Sequence, residues 1–179
     1  MKIGFDFDKI FIDYPPFLPT KLFDKFYKES DNGTLRYRIP GVVEQYLRKL
    51  LHLPFMRPPI NENLDILKTL AKKNKELYLI SSRFKFLEPE TTKLVNQYKL
   101  DALFKKMYFN FDNEQPHLFK NRILKQLQLD RYVDDDLSLL KHVAKQNKQT
   151  LFFWLNHTSK QNSLPRNIHS ITKLKEILV

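Results

Sequence analysis

The sequence predicts an α/β fold, a Rossmann-like parallel sheet with helices on both faces. Three observations predict it. Short apolar runs alternate with amphipathic helical patterns along most of the chain. Three of those runs end on Asp, Ser or Arg, and open α/β sheets bind their ligands outside the carboxyl ends of the strands. The one stretch that breaks the alternation, residues 13–57, follows the first strand directly and reads as an insert.

The elements follow in order. KIGFDF at 2–7 reads as a short buried strand. Strand side chains alternate with period two, so Asp6 and Asp8 point to the same side. Two like charges held there require a cation between them. Pro15-Pro16, an apolar-basic patch from Leu22 to Tyr27, a polar turn from Ser30 to Gly33 and a helical pattern from Val42 to Leu51 make the insert a small, mostly helical cap. The core domain is then residues 1–12 and 58–179. After Pro58-Pro59 and Asn61, the residues Leu64, Leu67, Leu70 and Ala71 keep helical spacing. LYLIS at 77–81 is the second strand and runs into Ser82 and Arg83. MYFNF at 107–111 is the third. Ile123, Leu124 and Leu127 mark a helix. Arg131-Tyr132-Val133 is a fourth strand, ending in Asp134, Asp135 and Asp136. Leu137, Leu140, Val143 and Ala144 form the next helical face, LFFWL at 151–155 is a fifth strand, and residues 170–178 read as a last helix.

Composition narrows the function classes. A chain of 179 residues suits one domain with a small insertion. With 42% hydrophobic and 13% aromatic residues it can bury a core, which excludes a disordered chain. There is no cysteine, so neither a disulfide framework nor a thiolate metal site exists, and a reducing, cytoplasmic location is expected. The opening apolar run is too short for a signal peptide, and no stretch approaches the roughly 20 apolar residues of a membrane span. The three glycines (Gly4, Gly33 and Gly41) form no phosphate loop, which excludes P-loop and dinucleotide-fingerprint readings. The charge of +11 favours anionic partners. Nucleic acid is one such partner, but the basic residues are scattered and no nucleic-acid motif accompanies them.

The strand ends carry a coherent chemistry. Clustered carboxylates with a backbone carbonyl make an oxygen-rich site suited to Mg²⁺. One carboxylate can attack phosphorus, and a second, two residues on, can move protons for the leaving group and for water. A serine hydroxyl and a lysine ammonium can hold the phosphoryl oxygens.

At IGFDFD, LYLISSR, HLFK and YVDDD the sequence resembles the haloacid-dehalogenase-like (HAD) superfamily. The resemblance runs in order over nearly the whole chain and leaves 13–57 as the family's cap. It implies Asp6 as nucleophile and metal ligand. It implies Asp8 as general acid/base, lending its backbone carbonyl to the metal. Ser81 and Lys120 would hold the phosphoryl group, and Asp135, with Asp134 beside it, would complete the metal site. Ser82, Arg83 and Lys9 are candidate substrate contacts. The Lys120-to-Tyr-Val-Asp-Asp spacing looks like that of HAD nucleotidases. Where the family usually has a Thr after the residue following the second aspartate, this chain has Ile10, so an ordering hydroxyl is missing there.

Each residue also has a plain structural role. Ser81 can cap a strand end, Lys120 can be a solvated helix lysine with Lys125 as its competitor, and one acid of 134–136 can cap the next helix. Arg83 can serve a surface ion pair. The five histidines show no ligand spacing. Trp154 and Phe152-Phe153 suit the core, as do Phe17, Phe23, Phe26 and Tyr27 within the insert. Lys21, Lys25, Arg36 and Arg38 can line the cleft or face water.

The expected function is therefore Mg²⁺-dependent hydrolysis of a small phosphomonoester through an aspartyl-phosphate, with a nucleotide 5′-phosphate preferred, sugar phosphates close behind and no membrane partner. Its rival is a HAD-fold binding or regulatory protein with little turnover, able to bind nucleic acid through its basic surface.

Overall fold

A computed structural model of the chain describes residues 1–15, 28–31, 34–73, 75–157 and 163–178. At its centre lies β1 (Lys2–Phe5), paired in parallel with β4 (Glu76–Ser81) on one side and β6 (Arg131–Asp134) on the other. The sheet continues outward through β5 (Lys106–Phe109) at one edge and through β7 (Leu151–Leu155) to β8 (Ile168–Ile171) at the other. Its order is β5-β4-β1-β6-β7-β8, every pairing parallel. Chain order reverses beside β1, so the ends of β1, β4 and β6 open onto one crevice.

Period-two alternation splits the strand residues between two cores. Ile3, Phe5, Leu77, Leu79, Val133 and Phe153 face one side and pack with Leu64 and Leu67 of α2 (Asn61–Lys72) and Leu94 of α3 (Glu88–Gln97). Tyr78, Ile80, Tyr132, Phe152 and Trp154 face the other and pack with Ile123 and Leu124 of α4 (Pro116–Leu127) and Leu140 and Val143 of α5 (Leu137–Ala144). Gly4 makes room on that second face. A Cβ there would lie 2.4 Å from Leu129 Cδ1 and 2.9 Å from Tyr132 Cδ2.

Within the insert, β2 (Lys28–Asp31) and β3 (Thr34–Tyr37) form an antiparallel hairpin, so Ser30 and Asp31 lie in a strand where a turn is expected. The helix expected from Val42 is α1 (Val42–Leu51). The patch Leu22–Tyr27, with Phe17, Lys21 and Lys25, lies outside the described residues.

Two differences from the sequence reading have physical causes. The expected last helix over 170–178 is instead β8 followed by a short 3₁₀ turn, Leu174–Leu178. Ile168 and Ile171 are β-branched and find an open parallel edge on β7, which outweighs the weak helical spacing of the tail. Helix α3 has no counterpart in the sequence reading. It opens on Glu88-Pro89-Glu90, with proline in the first turn and acids facing its positive end.

Candidate active site

The ends of β1, β4 and β6 meet in a cleft of about 170 Å³ lined by Asp6, Ser81, Lys120 and Asp134, among others. Asp6 follows β1, its N–H donating to the Val133 carbonyl at 2.9 Å, so the sheet itself sets its position. Lys120 comes from the first turns of α4 and is almost wholly buried. Its Nζ donates to Asp6 Oδ1 and to Asp134 Oδ2, each at 2.7 Å. Tyr132 adds its hydroxyl to Asp134 Oδ2 at 2.9 Å, and the Asp136 N–H donates to Asp134 Oδ1 at 2.9 Å. Carboxylate oxygens of Asp6, Asp134 and Asp135 come within 4.8 Å of one another.

Three carboxylates face one ammonium here, so with all three ionised the cluster carries two negative charges in excess. Burial pushes the Asp6 carboxyl up to about 7, Lys120 opposes, and Asp134 and Asp8 add to the rise. Burial, then Asp134 and Asp6, hold the Asp135 carboxyl well above the carboxylate range. Burial alone would lower the Lys120 ammonium, but Asp134 and Asp6 raise it well above its ordinary value. Hard oxygen donors with an excess of two charges fit a divalent cation such as Mg²⁺.

Asp8 has counter-charges of its own. Arg83 reaches it with Nε at 2.9 Å and Nη2 at 2.8 Å, and Arg57 donates to the same Oδ1. Burial would raise the Asp8 carboxyl, but the Arg83 and Arg57 guanidiniums overcome it and hold the group far below its ordinary value. In this arrangement Asp8 is ionised and accepts hydrogen bonds from both guanidiniums. The loop that carries it turns at Lys9, whose φ of 61° is left-handed. Ile10 is fully buried, and Asn63 Nδ2 donates to its carbonyl at 2.6 Å. The asparagine thus ties down the loop where the sequence lacks a threonine hydroxyl.

The remaining candidates divide. Ser81 is buried in the cleft wall, its Oγ accepting a long 3.4 Å bond from the Arg83 N–H. Ser82 also lines the cleft, and its Oγ is buried with no hydrogen-bond partner among the described residues. Arg83 lines the cleft but spends its guanidinium on Asp8 and on Thr91 Oγ1, 3.2 Å away. Lys9 is engaged elsewhere. Its Nζ is 2.6 Å from Asp13 Oδ1 and lies over the Tyr14 ring, and the residue does not line the cleft. The helix-capping acid is Asp136, whose Oδ1 accepts from the Ser138 and Leu139 N–H groups. Lys125 reaches Gln146 instead of the site.

Four residues of the site escape the sequence reading. Arg57, fully buried, and His52 close the Asp8 side, while Tyr37 donates its hydroxyl to Asp136 Oδ2 at 2.7 Å and Tyr132 reaches Asp134. Three of these four come from the insert, where no periodicity announces a cleft. Tyr132 was visible only as a strand residue.

No protein-family model and no curated protein sequence matches the chain. Solved structures do. A HAD-superfamily hydrolase from Ehrlichia chaffeensis aligns with a TM-score of 0.56 at 14% identity, covering 98% of this chain and 93% of that one. The D,D-heptose 1,7-bisphosphate phosphatase of B. bronchiseptica, complexed with magnesium and phosphate, aligns with a TM-score of 0.57 at 12% identity, covering 99% and 98%. At such identities the likeness speaks for the fold, and it agrees with the parallel six-stranded order and the carboxylates at the ends of β1 and β6. The chain has the haloacid-dehalogenase-like fold.

Proposed function

We propose that this protein is a Mg²⁺-dependent phosphohydrolase of small phosphomonoesters, with a nucleotide 5′-phosphate as the preferred substrate and residues 13–57 as its cap. The observation that carries the proposal is the convergence of Asp6, Asp134 and Asp135 beside buried Lys120. Both neighbours described above are hydrolases by name, and one is a phosphatase holding magnesium and phosphate.

Asp6, Asp134 and Asp135, with the Asp8 carbonyl, would hold the ion. When bound, Mg²⁺ supplies charge neutralisation for the phosphoryl oxygens as their charge redistributes. An Asp6 carboxylate oxygen attacks phosphorus. The bond to the leaving oxygen breaks, and an aspartyl-phosphate forms. Lys120 and the Ser81 hydroxyl bind phosphoryl oxygens, and Ser82 Oγ, unpartnered among the described residues, offers a further donor. Water then attacks phosphorus, giving its proton to Asp8, and Asp6 is released with inorganic phosphate. Because Arg57 and Arg83 hold Asp8 far below the ordinary carboxylate range, it accepts that proton only once their clamp loosens. Donating one to the leaving oxygen first requires an arginine to withdraw.

The test is phosphate release from nucleoside 5′-monophosphates, sugar phosphates and phosphorylated oligonucleotides, in Mg²⁺ and in EDTA. Metal-dependent release, greatest with a nucleotide, is the expected result. A chain that releases no phosphate from any of them would leave the fold serving as a binding protein.

A further inference from the structure

We infer that His52 is a specificity residue whose Nε2 accepts a hydrogen bond from a hydroxyl of the leaving group, so that the substrate is the phosphate ester of a sugar or a similar polyol. The inference rests on the proposed phosphomonoester reaction and deepens its substrate class.

His52 caps the end of α1 and is 2% exposed, yet it lines the cleft that holds Asp6 and Asp8. Its Nδ1 lies 2.7 Å from the Arg48 carbonyl oxygen. A carbonyl can only accept, so Nδ1 carries the hydrogen, and in the neutral ring Nε2 is left as an acceptor. Burial keeps the ring neutral, and the Arg57 and Arg83 guanidiniums act in the same direction. Nε2 has no hydrogen-bond partner among the described residues, and it is not sealed into the protein. The ring lines the cleft, and this lone pair is the acceptor that the proposal assigns to the substrate.

The donor that the proposal assigns lies in the substrate's organic part. A phosphoryl oxygen in its ionised form has no hydrogen to give, and the neighbouring Asp8 is held ionised by its two arginines. His52 and Asp8 line the same cleft, which places the ring where the proposed acid/base works and where the leaving group departs. A hydroxyl near the scissile bond meets that geometry. A site built to accept such a hydroxyl rejects the analogue lacking it, because the buried acceptor is then left unpaired.

The experiment separates this inference from catalysis by reading affinity in Asp6→Asn protein, which lacks the proposed nucleophile. Calorimetry in Mg²⁺ compares two probe pairs: adenosine 5′-monophosphate with its 2′,3′-dideoxy analogue, and glycerol 3-phosphate with propyl phosphate. The hydroxylated member of at least one pair should bind about 10-fold tighter or more. His52→Phe should collapse that preference to within about threefold, chiefly by weakening the hydroxylated probe, and His52→Gln, which restores an acceptor, should keep most of it. Should the Phe variant fail to fold, His52→Met removes the acceptor at similar volume and gives the same readout. Equal weakening of both members of a pair would assign His52 a structural role and overturn the inference. So would the absence of any preference, or of any binding, with His52 in place. Failure of the wild type to release phosphate would instead count against the proposed reaction, since the affinities do not depend on turnover.

Discussion

Replacing Lys120 by Met removes the only ammonium that the described residues place among the clustered carboxylates. Two ion pairs at 2.7 Å are lost. At an effective dielectric constant near 20 each is worth about 6 kcal/mol of Coulomb attraction. Burying the lysine costs several kcal/mol in return, and methionine fills most of its volume, so the net loss falls to about 3–5 kcal/mol. For a domain of this size that corresponds to a fall in Tm of roughly 6–20 °C. The loss must depend on pH. Without Lys120, which opposes the rise, the Asp6 carboxyl titrates still further above its unfolded value. A group with a raised folded pKa carries no penalty below its unfolded value and an increasing one as pH rises past it. The variant should therefore match the wild type near pH 4 and fall behind progressively toward pH 8. Mg²⁺ should recover part of the difference, since the variant's site holds three carboxylates and no ammonium. Thermal melts across that range, with Mg²⁺ and with EDTA, read all of this. A variant within about 2 °C of wild type at pH 8 in EDTA would refute the reasoning, because a buried cluster of like charges cannot lose its counter-charge without cost.

Other outcomes follow from the same geometry. Gly4→Ala should cost about 1–3 kcal/mol by overpacking, because its Cβ meets Leu129 and Tyr132, and chemical denaturation would show it. Arg57→Leu leaves Asp8 with Arg83 alone, so the Asp8 carboxyl rises, which an NMR titration of its carboxyl carbon would show; an unmoved titration would deny the clamp its effect. The same variant should be less stable than wild type at pH 7, and the gap should close only as pH falls through the folded-state titration of Asp8, far below the ordinary carboxylate range. His52 is neutral when folded, and a depressed histidine gives stability that is present above its unfolded value near 6.5 and lost as pH falls below it. The Tm of wild type should accordingly drop between pH 7 and 5 more than that of His52→Gln.

What the sequence makes legible is what local pattern encodes. Phe5, Leu79 and Val133 lie in apolar runs whose alternation feeds two cores at once, so the strands and the polar residues at their ends stand out. Asp6, Ser81 and Asp134 are visible on that ground and Lys120 through the order of the motifs, and the structure brings the four into one cleft. What pairs with what is not local. The arginines that claim Asp8 are 49 and 75 residues away, and one of them, Arg83, reads from its position as a substrate contact. Lys9 has the same ambiguity and resolves toward Asp13. His52 shows no ligand spacing because its role comes from the end of α1 meeting the strand ends. The edge strand β8 was hidden for a related reason, since its partner β7 supplies the pairing that its own four residues only weakly suggest.

The central claim is that Asp6 performs the chemistry at a divalent-cation site. Its most direct test is phosphate release by wild type and by Asp6→Asn, side by side in Mg²⁺ and in EDTA, on the best substrate of the panel. The account predicts Mg²⁺-dependent release that falls by about 10³-fold or more in the variant while its fold is kept. Release that persists in Asp6→Asn, or that is indifferent to EDTA, would contradict it.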